Sequence, residues 1–172
     1  MIEITVFATL SALLLFSFIF AGVARFGLLN SYSAYSAKWG RAVPMNNLNL
    51  WSVVTFAAAI ILCPVLIELG IGSMLQFLGF LTPVYLMVVS LTPDWMTKKT
   101  QNIVHSVFAI LCAIGGLLWV ILIMHGFNLL CGVLVFILTL ALLTGTVKTA
   151  AVFWLEMIMF SSVYLIVLLA VF

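Results

Sequence analysis

Two strongly polar side chains, Glu156 and His105, sit inside long apolar runs of this sequence, at depths where each needs a chemical reason to be there. A charged carboxylate near the middle of a membrane costs about 2.5–3.5 kcal/mol on insertion scales, so such a group turns to an interior and finds partners. Glu156 lies between Leu155 and Met157 in the last apolar run, and His105 lies near the start of the fourth. At a helical rise of 1.5 Å per residue, Glu156 is roughly 10 Å and His105 roughly 5 Å inside the same end of their helices. Helical spacing sets His105, Ala109, Cys112, Gly116 and Trp119 on one stripe, and Glu156, Phe160, Val163 and Tyr164 on another. If those helices are neighbours, a His–Glu pair can bind a ligand or exchange a proton. The competing reading is a buried structural pair that fixes how the helices pack.

The longest polar stretch, about Arg25 to Asn49, would lie over that pair. It carries Ser31, Ser33, Ser36, Tyr32 and Tyr35 within six positions, many hydroxyls with little charge. That composition suits a cap at the membrane interface, with Ser31, Ser33, Tyr35 and the nearby Trp154 as further ligand or proton contacts. It equally suits a solvated connector whose aromatic residues rest at headgroup level, as Trp39, Trp51, Trp95 and Trp154 would.

Other chemistry finds little support. No Ser-His-Asp arrangement with a nucleophile turn, HExxH, P-loop or GxGxxG is present, so no catalytic residue is assigned. Cys63, Cys112 and Cys131 are scattered through apolar runs and read as packing residues, which points to neither a disulfide framework nor a metal site. His105 and His125 fall near opposite ends of one helix, unsuited to paired haem ligation. No cofactor is expected. Glu68, Asp94, His125 and Glu3 have solvated roles at ends and in loops. Serine and threonine hydroxyls in the spans, Thr82, Ser90, Ser106, Thr139, Ser161 and Ser162, are expected to bond back to helix carbonyls.

The elements that must position these groups are plain from composition. Of 172 residues, 67% are apolar and 6% charged, whereas a soluble domain carries roughly 25% charged residues. A spanning helix needs about 20 apolar residues, and six segments qualify, at about 3–24, 50–69, 73–91, 102–124, 128–145 and 150–171. The expectation is one all-α transmembrane domain over residues 1–172, a six-helix bundle with short hairpin loops. Ala21-Gly22-Val23-Ala24 loosely resembles a signal cleavage site, but Glu3 and the absence of an early basic residue favour a retained first helix. Pro64 and Pro83 lie inside spans and are expected to kink them.

Lys and Arg alternate along the chain. Arg25, Lys38 and Arg41 fall in the first gap, Lys98 and Lys99 in the third and Lys148 in the fifth, while the other gaps and both ends have none. Cytoplasmic loops retain Lys and Arg, so the odd loops should be cytoplasmic and both termini outside. The net charge of +2 comes from these loops; without a basic stripe it implies no nucleic-acid partner.

Ser31, Ser33 and Tyr35 after the first helix, His105, Ala109 and Trp119 in the fourth, and Phe153, Trp154, Glu156, Phe160 and Tyr164 in the sixth form an ordered string. It resembles that of small six-helix membrane proteins of unknown function from Bacteroides-type bacteria and their phages, distantly similar to the DUF998 and Frag1/DRAM-like families. The resemblance implies a six-helix bundle with a shared polar site in a bacterial inner membrane; some distant relatives are drawn with the first loop outside, whereas the charges of this chain put the termini in the periplasm. It implies no reaction. Ala34 stands where the pattern has an acidic residue.

Three functions follow as expectations. The first is binding or translocation of a small apolar or lipid-like ligand, or of a proton, at Glu156 and His105. The second is an accessory subunit packed on membrane partner proteins. A membrane enzyme ranks last, because acid–base groups are few.

Overall fold

The computed structural model describes residues 2–42, 44–45, 48–92, 97–123 and 126–171. Expectations placed on Asp94, Trp95 and His125 lie outside them. Among the described residues the chain forms seven helices and one two-residue antiparallel ladder. The helices are α1 (Ile2–Phe26), α2 (Tyr35–Ala42), α3 (Leu50–Leu69), α4 (Leu75–Ser90), α5 (Lys99–Leu122), α6 (Gly126–Leu143) and α7 (Ala151–Val171). The ladder pairs Pro44–Met45 with Leu48–Asn49. Four helices, α1, α3, α5 and α7, are long and apolar enough to cross a membrane; α4 and α6 are apolar but shorter.

Six of the helices coincide with the six apolar segments, and most of their ends have local causes. At the end of α1, Gly27 takes φ of 73° and its N–H reaches Val23 O at 2.9 Å, closing the last turn in the left-handed conformation that glycine adopts freely. Gly145 closes α6 in a Schellman pattern, with bonds from Gly145 N–H to Leu142 O and from Thr146 N–H to Ala141 O. The start of α5 is at Lys99, three residues before the expected 102, because Lys99, Thr100 and Gln101 continue the helix beyond the apolar run. Pro64 and Pro83 lie within uninterrupted α3 and α4.

The first gap differs most from a simple connector. Ser31 Oγ accepts the Ala34 N–H at 3.1 Å and starts a turn that leads into α2. Asn49 then caps α3: its Oδ1 accepts the Ser52 N–H at 2.9 Å, while its Nδ2 donates to Ser36 O at 3.0 Å. Eight residues of mixed polarity are too few to show a helical period in sequence, so α2 is visible only once these caps are seen.

Packing is closest where side chains are smallest. Gly79 of α4 lies against the α3 backbone, and an added Cβ would stand 2.5 Å from Leu66 O. Gly115 and Gly116 of α5 face Thr82 of α4 and Met159 of α7. Thr82 therefore departs from the expected back-bonding: its Oγ1 is buried against Gly115 without a partner among the described residues, and Ser162 Oγ is likewise unpaired. Ser90 and Thr139 do bond back, to Met87 O and Val135 O. Deeper in the bundle, Ser11 of α1 donates to Ala58 O at 2.7 Å and meets the Tyr164 hydroxyl at 2.6 Å, tying α1, α3 and α7 together.

Candidate functional site

The segment between α1 and α2 is drawn into one end of the bundle. Its Asn30 carbonyl accepts the Phe153 N–H at 2.9 Å, satisfying one of the amides left unpaired in the first turn of α7. Tyr35 folds back, its hydroxyl donating to Gly27 O at 2.9 Å and accepting the Leu29 N–H at 3.3 Å. Its ring also lies 3.0 Å from where a Cβ on Gly22 would stand. Tyr32 goes deepest: its hydroxyl meets Thr55 Oγ1 at 2.7 Å, and its ring packs against Trp51 and Phe160 at 5.7 Å each. Burial pushes the Tyr32 phenol above its ordinary range, and the neighbouring Glu156 carboxylate acts in the same direction. Burial also raises Tyr35. Both phenols are therefore neutral hydrogen-bonding groups at physiological pH.

Glu156 meets this segment directly. The Tyr32 N–H donates to Glu156 Oε2 at 2.5 Å, a bond that holds the segment to α7. Glu156 as a whole residue is partly buried, and it borders a cavity of about 480 Å³. Helices α5, α6 and α7 form most of its walls, with Leu86 and Val89 of α4, Trp51 of α3, and Tyr32 and Ser33 completing them. Among the described residues, Glu156 and Ser33 are the hydrophilic side chains in the lining, beside the aromatic Tyr32 and Trp51, and no basic side chain lines it. Ala109, Cys112 and Ala113 leave the space that larger side chains on α5 would fill. Ile110, Val152 and Leu155, also in the lining, are exposed on the outer face of the bundle, so the cavity opens sideways.

His105 is not in that lining. Its Nδ1 lies 2.9 Å from Thr92 Oγ1, and its ring packs against Trp51 at 6.3 Å. Thr92 Oγ1 also lies 2.7 Å from Val89 O, to which it donates, so the imidazole, the Thr92 hydroxyl and the end of α4 form one hydrogen-bonded cluster. His105 thus joins α5 to the end of α4, and a chain of contacts runs from His105 through Trp51 and Tyr32 to Glu156. Ser31 bonds the Ser33 hydroxyl at 3.2 Å and shapes the turn, while Ser33 reaches the cavity. Trp154 turns away, donating from Nε1 to Thr146 Oγ1 at 3.0 Å. Of the residues expected from sequence, Glu156 and Ser33 meet at the cavity; Ser31, Tyr35 and His105 support its surroundings.

Sequence reasoning did not single out Tyr32 or Trp51 as site residues and passed over Thr55. Trp51 and Thr55 share a face of α3 at i, i+4 spacing, a signal that could have marked an inward aromatic-hydroxyl pair. Trp51 had the alternative role of an interface anchor, whereas it is fully buried, with Nε1 lacking an acceptor among the described residues. Comparisons of the chain with protein-family models, with curated proteins and with solved structures gave no match.

Proposed function

We propose that this chain is a six-span inner-membrane protein that holds a small apolar or lipid-like ligand in the cleft between α5, α6 and α7, with Glu156 as its polar contact. The observation that carries this reading is the cavity of about 480 Å³ with a carboxylate and one serine in a mainly apolar wall. Its volume is within the range of small-molecule sites, roughly 300–1,000 Å³, and sites of that kind combine apolar walls with a few placed polar groups. The accessory-subunit reading calls for a close-packed interior, and the cleft counts against it. The kinship with small Bacteroides-type and phage membrane proteins belongs to the same proposal.

Filling the cleft tests the reading. Ala113→Trp puts an indole into the space that Ala113 borders, and it should abolish saturable photolabelling of the lining by a diazirine-bearing hexadecyl chain. Helicity by circular dichroism should be retained. Labelling of the variant at the wild-type level would refute a ligand cleft.

Orientation is part of the proposal. Contacts of the segment after α1 gather the end of α1 and the starts of α3 and α7, and through Trp51 and His105 the end of α4 and the start of α5. Arg25, Lys38, Lys98, Lys99 and Lys148 therefore share one end of the bundle, which the positive-inside bias assigns to the cytoplasm. An alkaline phosphatase fused after Phe172 should be active; an inactive, stably expressed fusion would reverse the assignment.

A further inference from the structure

The geometry points to a long-chain primary ammonium compound as the occupant of the cleft, its cation against Glu156 and its alkyl chain between α5, α6 and α7. This inference rests on reading the cleft as a ligand site and names the chemistry of its ligand.

Three observations carry it. First, the carboxylate receives a backbone amide on Oε2, and among the described residues no Lys, Arg or His lines the cavity to complete the pairing. The cation nearest in sequence to the capping segment, Arg25, is engaged elsewhere, 5.5 Å from the Phe26 ring centroid and 5.4 Å from that of Trp39. A carboxylate in an apolar wall is stabilised by an opposite charge brought to it. Second, Tyr32, Trp51 and Phe160, which border the same cavity, are aromatic and bring no positive charge to the carboxylate; all three are almost fully buried against their neighbours. Third, the sideways opening is bordered by exposed Ile110, Val152 and Leu155, an apolar entrance suited to a chain arriving from the bilayer rather than from water. A primary amine with a pKa near that of lysine, about 10.4, is a cation at neutral pH. Its three N–H donors match the acceptor-only carboxylate and the Ser33 hydroxyl oxygen.

The test is competition photolabelling of the full chain in neutral dodecyl maltoside micelles. The probe is hexadecylamine with a diazirine at the chain end, read by peptide mass spectrometry at residues of the lining. Unlabelled hexadecylamine, hexadecanol and palmitate compete at equal mole fraction in the micelle. The inference expects the amine to compete roughly ten- to hundredfold better than the alcohol or the acid, the range for a hydrogen bond between charged groups. Glu156→Gln should bring the amine down to the level of the alcohol. If all three compete equally, or the alcohol or acid wins, and Ala113→Trp still abolishes labelling, the cleft binds chains and the ammonium inference is overturned. If labelling of the lining is not saturable in the wild-type chain, the ligand site itself is refuted. The wild-type competition order decides the matter even if Glu156→Gln fails to fold.

Discussion

Replacing Gly79 with alanine should destabilise the bundle, although alanine is the better helix former. The two effects oppose each other and can be compared. In a helix interior, alanine is favoured over glycine by about 1 kcal/mol. At Gly79, however, the new Cβ would lie 2.5 Å from Leu66 O, 2.8 Å from Leu66 C and 3.2 Å from Ile67 N. All three are backbone atoms of α3, so no side-chain rotation relieves the clash, and α3 and α4 must move apart. Overpacking of this kind costs about 1–3 kcal/mol for added methylenes, and Gly79→Leu should reach the upper end, about 3 kcal/mol. Gly132 of α6 is the matched control, because an added Cβ there meets nothing within 4 Å; Gly132→Ala should stabilise by up to about 1 kcal/mol. Unfolding by sodium dodecyl sulfate in mixed micelles measures all three. Equal stability of Gly79→Ala and Gly132→Ala would mean that α3 and α4 do not approach so closely.

The second large effect is expected at Trp51. The indole is fully buried and touches Tyr32 on one side and His105 on the other, so it joins the capping segment to α5. Its removal in soluble proteins costs about 3–5 kcal/mol, part of which is transfer of apolar surface from water. That part shrinks where the unfolded reference is itself in lipid, since acyl chains are as apolar as a protein core. The cavity and lost dispersion contacts remain, so Trp51→Ala should cost about 3 kcal/mol. Trp51→Phe separates packing from hydrogen bonding. It keeps a ring in place and removes the Nε1 donor that has no acceptor among the described residues, so its cost should be about 1 kcal/mol. If the two variants lose the same stability in that titration, the indole is not held by its packing.

How much of this was legible beforehand differs between elements. The segment 50–69 matches α3 residue for residue, because an apolar run bounded by Asn49 and Gly70 carries both its length and its ends. For α5 the run alone misplaces the start, since helix continues through polar residues that need no membrane. Glu156 was legible as an inward-facing group for a reason of cost: a carboxylate inside an apolar run must have some compensation. Its partner was not. Depth along two helices made His105 a reasonable candidate, yet His105 bonds Thr92, and Glu156 receives an amide from Tyr32, 124 residues away in the chain. A backbone N–H is present at nearly every residue, so no residue type can announce which one will be used.

By itself, the sequence determined an all-helical chain of long apolar segments, the grouping of its cations into alternate gaps, and the presence of one carboxylate that must be accommodated. These follow from hydropathy, length and charge, which are properties of contiguous residues. Only the tertiary structure decided that the first gap folds inward as a cap, that Ala109, Cys112 and Ala113 border open space while Gly115 and Gly116 border close contacts, and that Glu156 faces that space. All five small residues belong to one helix and look alike along the chain. What separates them is the direction in which each faces and the distance to the neighbouring helix, and those are set by contacts between residues far apart in sequence.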